Sequence, residues 1–189
     1  MATSTDDFNR ADGALGANWL TWWTTAFVII SNTTAAQSGN TCGSSWNTAS
    51  TTFTGNHKST LTVVSVAGGG SNDCGPAVRC SSVGGGQAYV LSAFDGVNIQ
   101  LYRVDAGSGG SALAQAAGVY SPGDVIELEA NAALITVRKN GSTIFTYTDP
   151  SPLTGGQPGM YGFSGDVTWD SFVGADVSVG DIFLGQACL

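Results

Sequence analysis

Positive charge is scarce in this sequence: its 189 residues carry six Lys and Arg against fourteen Asp and Glu, a formal net charge of −8. The nearest approach to a basic run is the pair Arg138-Lys139. A phosphate backbone is neutralised only by several clustered cations, so nucleic acid is excluded as a partner. Adhesion to an anionic membrane is excluded on the same ground. Long apolar runs are also missing. The longest, Ala26-Phe27-Val28-Ile29-Ile30, falls far short of the roughly 20 residues a spanning helix needs. The start, Met1 to Asp7, has neither a basic nor an apolar segment, so no signal peptide is expected there. Histidine occurs once, as His57, and the cysteines show no paired CxxC spacing, which argues against a zinc site.

Only 11% of the chain is charged, about half the usual share. Its polarity comes instead from Ser, Thr, Asn and 27 glycines, alongside 42% apolar residues. Thr and Val crowd a helical backbone but fit a pleated surface, and Gly supplies turns of positive φ. One all-β domain is therefore expected, with enough apolar residues for a sizeable core. The four cysteines, Cys42, Cys74, Cys80 and Cys188, leave several arrangements open. Cys74 and Cys80 admit a local disulfide, a bond of either to Cys42, or reduced buried thiols. Cys188, next to last, is a candidate for a bond between subunits.

Strand patterns recur along the chain. Trp19 to Ile30 reads as one run and Thr34 to Ser38 as a short strand, while His57 to Val66 alternates through Leu61 and Val63. Ala88 to Phe94 and Asn98 to Val104 flank the turn Asp95-Gly96. In Asp124 to Ala130, Ile126 and Leu128 alternate with Glu127 and Glu129. Asn140-Gly141, suited to a type I′ turn, then links Ala133–Lys139 to Thr143–Thr148. Ala112 to Ala117 favours at most one helical turn. Antiparallel hairpins at this spacing predict a sandwich or barrel, and no fixed repeat is present. Residues 176–189 read as an apolar extension of a domain spanning 1–175. Such a tail needs a surface to cover, on its own domain or on a neighbouring subunit.

Several segments resemble the concanavalin A-like lectin/glucanase (laminin G-type) domain. They are Asp7-Phe8-Asn9-Arg10 with Leu15 to Trp19, Gly75 to Arg79 with Ala88 to Leu91, and Gly123–Glu129 with Ile135–Gly141. Gly155 to Tyr161 and the closing Trp169-Asp170-Ser171-Phe172 complete the likeness, which covers about residues 5 to 175. The resemblance implies a two-sheet antiparallel jelly roll whose first and last strands lie close. It says little of activity, since many functions share that architecture.

The glucanase branch carries Glu-x-Asp-x-x-Glu on one strand, and this sequence has no such triplet. Glu127-x-Glu129 comes nearest, but the core claims Ile126 and Leu128, which leaves the glutamates on a solvated face. His57 reads as an exposed structural residue. No Gly-x-Ser-x-Gly elbow nominates a nucleophile. A catalytic role is therefore not expected, and a glycoside hydrolase or polysaccharide lyase ranks third. For ligand binding, Trp22, Trp23, Trp46 and Tyr120 are the candidate aromatic platform. Trp22 and Trp23, adjacent on a strand, should point to opposite faces, so one of them should leave the core. Trp19 and Trp169 are assigned to the core. If the terminal strands pair, Asp6, Asp7 and Asp170 converge as calcium donors; otherwise they are solvated.

A lectin-like domain without a leader, poor in lysine and ending in an apolar tail resembles small virion proteins of tailed phages. The first expectation is accordingly a structural module of a virion, in capsid decoration or a tail fibre. Its partners would be other virion subunits or copies of itself, as in a homotrimer, with glycan contact optional. The alternative is a secreted or cell-surface glycan-binding module.

Overall fold

The computed structural model describes residues 1–37, 39–66, 73–93, 95–163 and 167–178. The first strands are β1 (Thr3–Asp6), β2 (Gly13–Ala14), β3 (Trp19–Thr24), β4 (Val28–Ile30), β5 (Thr33–Ala35) and β6 (Thr41–Trp46). The middle contributes β7 (His57–Val66), β8 (Cys74–Ser81), β9 (Gln87–Ser92), β10 (Asn98–Asp105), β11 (Ser108–Gly109) and β12 (Ala114–Ala117). β13 (Val125–Asn131), β14 (Leu134–Lys139), β15 (Ser142–Thr148), β16 (Gln157–Phe163) and β17 (Val167–Asp176) complete the set. Among the described residues there is no α-helix.

Two antiparallel sheets curl against each other as a jelly roll. One has the order β15-β14-β13-β7-β17-β5-β4-β2, with β1 also paired to β17. The other runs β11-β10-β9-β8-β16-β6-β3, with β12 beside β10. β1 and β17 meet through Asp6 opposite Phe172, so the first and last strands do pair.

Alternation places the core. Ile126, Leu128 and Ala130 of β13 are fully buried, while Glu127 and Glu129 take the other face. The next turn has the positive φ that a type I′ hairpin requires, 52° at Asn140 and 78° at Gly141. At the centre of the sandwich the Trp46 and Phe172 rings stack with centroids 5.7 Å apart, and Trp19 meets Phe172 edge-on at 4.7 Å. Trp19 and Trp169 are buried in this core, as expected.

Three expectations need correcting. Trp19 to Ile30 is not one strand: β3 belongs to one sheet and β4 to the other, so the chain crosses the sandwich between them. Ala114–Ala117 is a strand, because pairing with β10 outweighs the weak helical preference of its alanines. The domain does not end at residue 175. β17 continues to Asp176, and the Val177 N–H donates to the Asn56 carbonyl at 2.9 Å.

Of the arrangements left open for the thiols, the reduced one is found: Cys42, Cys74 and Cys80 are buried and not joined in disulfides. Cys74 and Cys80 sit at opposite ends of β8, roughly 20 Å apart at the rise of an extended strand. Cys42 and Cys74 both pair with Gly162, one on each side of β16. Two strand spacings, about 10 Å, then separate them, beyond the reach of a disulfide. Cys188 and most of the apolar tail lie outside the described residues.

Candidate functional site

The aspartates expected to hold calcium are engaged elsewhere. Arg10 grips Asp6 with Nη1 on Oδ1 at 2.7 Å and Nη2 on Oδ2 at 2.9 Å, and the Trp19 indole N–H donates to Oδ2 at 2.7 Å. Burial pushes the Asp6 pKa up, but these donors outweigh it and hold the carboxyl below its ordinary value. Asp7 accepts from the Asn9 N–H and Asp170 from the Ser171 N–H. Among the described residues no cluster of His, Cys, Asp or Glu is placed to hold a metal ion. The strands converge as expected; their carboxylates do not. A hollow of about 660 Å³ lies beside this ion pair, lined by Thr5, Leu15 and Ser171 among others, with no Trp or Tyr on its walls.

The other titratable candidates are structural. Arg138 Nη1 bridges Glu127 and Glu129 at 2.6 Å each, and Lys58 Nζ meets Glu127 at 2.7 Å. Two cations rather than a third acid therefore accompany the pair. His57 is fully buried, contrary to the exposed position expected. Its Nδ1 faces the Thr54 carbonyl at 2.6 Å, and its Nε2 accepts the Arg79 N–H at 2.9 Å. Trp46 and Tyr120 also need correcting as ligand platforms. Both are packed into the core between the sheets, where no ligand reaches them.

Trp22 and Trp23 do not take opposite faces as expected. Thr21 opposes Ser44 and Trp23 opposes Gly43, so Trp22 is the extra residue of a β-bulge. The bulge turns both indoles to the same side, the outer face of the eight-stranded sheet, with ring centroids 5.6 Å apart. Trp22 lies flat there, 3% exposed, its N–H donating to the Met160 carbonyl at 3.2 Å. Only glycine fits beneath it: a Cβ on Gly43 would stand 2.7 Å from Trp22 Cε2. Gly43→Val should therefore unseat Trp22 and cost about 1–3 kcal/mol in denaturant unfolding.

Trp23 is half-buried and stacks on Tyr161, with centroids 5.6 Å apart and planes at 24°. Register continues this row across the sheet, with Trp23 opposite Gly43, Gly43 opposite Tyr161 and Tyr161 opposite Gly75. Beyond it Val90 opposes Tyr102, and Ser92 opposes Gln100. Trp23, Tyr161, Tyr102, Val90, Val104 and Asp73 line a recess of about 220 Å³, together with Gly109 and Gly110.

Its polar groups are ordered. Tyr161 Oη donates to Asp73 Oδ2 at 3.4 Å, Tyr102 Oη donates to Gln100 Oε1 at 3.0 Å, and Gln100 Nε2 donates to Gln115 Oε1 at 3.0 Å. Burial raises the Asp73 pKa against bonds from Ser92 and Tyr161 that lower it. Burial and the neighbouring Asp73 likewise raise both tyrosines. This is the one place among the described recesses where several half-buried rings and planar polar groups share a concave surface.

Sequence reasoning found Trp22 and Trp23 but left Tyr161 and Asp73 unmarked. Tyr102 was readable, since it follows the inward Leu101 in an alternating strand. Asp73 was not, because nothing local says that the entry to β8 lies beside β16.

No protein-family model matches the chain, and no curated protein sequence does. Solved structures do. The carbohydrate-binding module CBM66 from Bacillus subtilis superposes with a TM-score of 0.59 at 12% identity, over 84% of this chain and 94% of that one. A Bacillus subtilis protein of unknown function with a galectin-like fold gives 0.63 at 12% identity, over 84% and 89%. A prokaryotic β-1,3-1,4-glucanase (lichenase) derived from a mouse hindgut metagenome gives 0.62 at 8% identity, over 94% and 100%. Identities this low show the fold, which is the concanavalin A-like jelly roll.

Proposed function

We propose that this concanavalin A-like jelly roll is a carbohydrate-binding module whose ligand lies across the outer face of the eight-stranded sheet. The observation that carries the reading is the Trp23–Tyr161 pair standing over a recess shared with Tyr102 and Asp73. A pyranose presents C–H faces that pack on aromatic rings and hydroxyls that bond planar polar groups, and this recess offers both. The solved carbohydrate-binding module on the same fold supports the reading.

Hydrolysis is the competing chemistry, since a lichenase shares the fold. Against it stand the missing Glu-x-Asp-x-x-Glu triplet and the neutralisation of Glu127 and Glu129 by Arg138 and Lys58. Reducing-sugar release from a polysaccharide panel, lost in Glu127→Gln, would restore the enzyme reading.

The test is a glycan array followed by titration calorimetry. Trp23→Ala and Tyr161→Ala should each weaken binding by about tenfold or more, roughly 1.4 kcal/mol. Trp23→Phe, which keeps a ring, should retain most of the affinity and guards against mere unfolding. An array on which the parent protein binds nothing would overturn the reading.

A further inference from the structure

Every cation of the chain has a described place, and none is at the recess. Arg10 is on Asp6, Lys58 and Arg138 are on the β13 glutamates, and Lys139 is on Asp124. Arg103 is on Asp105 and Asp149, and Arg79 donates to the carbonyls of Gly55, Ala132 and Leu153. These six are all the Lys and Arg the sequence has. His57 is sealed inside the domain with both ring nitrogens occupied.

The recess holds the opposite charge. Asp73 lines it and touches the Tyr161 hydroxyl. A carboxylate brought in with a sugar would meet Asp73 in a partly dehydrated hollow that none of the six cations lines. Like charges at such range repel strongly when water is displaced. A neutral sugar meets a different situation, because the Asp73 carboxyl, which accepts from Ser92 and Tyr161, has further lone pairs for hydroxyl donors.

We infer that the recess formed by Trp23, Tyr161, Tyr102 and Asp73 selects neutral glycans and rejects uronate-bearing ones. Asp73 is the residue that enforces the choice. The inference rests on the glycan-binding reading above and adds to it the chemical class of the ligand.

The experiment uses arrayed oligosaccharide pairs of equal length that differ only in a C6 hydroxymethyl or a C6 carboxylate. Examples are cello-oligosaccharides against oligoglucuronans and manno-oligosaccharides against oligomannuronans. The parent protein should bind at least one neutral member about tenfold or more tightly than its uronate twin. That gap should narrow in about 1 M salt, where the screening length falls to roughly 3 Å, which separates charge from shape. Asp73→Asn keeps the size and one acceptor but removes the charge, so it should weaken the neutral ligand, strengthen its uronate twin and close the gap between them. Equal or stronger binding of uronates by the parent, or a gap that survives both salt and Asp73→Asn, overturns the inference while glycan binding stands. Binding of neither class overturns the glycan reading and the inference with it.

Discussion

Replacing Arg79 by methionine lowers the unfolding free energy by about 3–5 kcal/mol, the largest loss expected from any single polar substitution in this domain. The residue is 4% exposed and sits in a bulge of β8 with a left-handed φ of 56°. Its guanidinium makes no direct ion pair with a carboxylate. Nε instead donates to the Gly55 carbonyl at 3.0 Å, Nη2 to Ala132 at 2.6 Å and Nη1 to Leu153. Those acceptors lie in three separate connections: before β7, between β13 and β14, and between β15 and β16. One planar fork therefore ties together loops from across the sandwich.

Methionine matches much of the volume but leaves three carbonyls without their donor, each costing about 1–3 kcal/mol where water cannot replace it. Partial access to water at two of them keeps the sum below its upper limit. Against a typical total of about 5–15 kcal/mol, the loss is enough to unfold a marginal domain. Arg79→Lys should recover little, because an ammonium lacks the fork that reaches three directions. Urea titration of the three proteins measures both effects. A loss under about 1 kcal/mol for the methionine variant would show that the guanidinium is not a clamp.

The second large effect is a loss of stability in mild acid that passes through His57. The Thr54 carbonyl can only accept, so Nδ1 carries the hydrogen; the Arg79 N–H can only donate, so Nε2 must stay bare. A proton on Nε2 would break that bond and place a charge in a fully buried site. Burial accordingly lowers the His57 pKa from 6.5 to about 4, with the Arg79 charge adding to the same direction. Because the folded value lies below the unfolded one, the contribution is complete above pH 6.5 and is lost as pH falls towards 4. At 1.36 kcal/mol per unit the whole amounts to about 3 kcal/mol, of which about 2 is gone by pH 5.

The carboxylates held low, such as Asp6, Asp124 and Glu127, start from ordinary values of 3.8 to 4.5, so most of their loss comes at lower pH. Between pH 6.5 and 5 the histidine therefore dominates. Thermal unfolding of His57→Gln, which can still donate to Thr54, should be less stable at pH 8 but nearly flat across that interval. A variant whose slope matches the parent's would assign the acid sensitivity elsewhere.

Alternation made the fold legible before any coordinates. In β13, β14 and β10 each inward residue is followed by an outward one, and Asn140-Gly141 closes the hairpin its residue types require. Where the pattern broke, the reading failed. Trp22 and Trp23 share a face because one extra residue in β3 resets the period, and a bulge leaves no trace in hydropathy. Trp46 and Tyr120 were legible as aromatics but not as buried ones. An indole on a strand looks the same in sequence whether its side of the sheet meets core or solvent. The first expectation, assembly into a virion, leaned on an apolar tail that lies mostly outside the described residues. The aromatic recess supports the second, glycan binding, instead.

The sequence by itself determined an antiparallel β-sandwich or barrel and a chain with only six Lys and Arg. Those properties follow from composition and from periods of two residues, which are local. Tertiary structure alone decided that His57 is sealed against Arg79 and that Asp73 stands under Tyr161. Each of these depends on which strands become neighbours and in what register, a matter of packing between residues 22 to 88 positions apart.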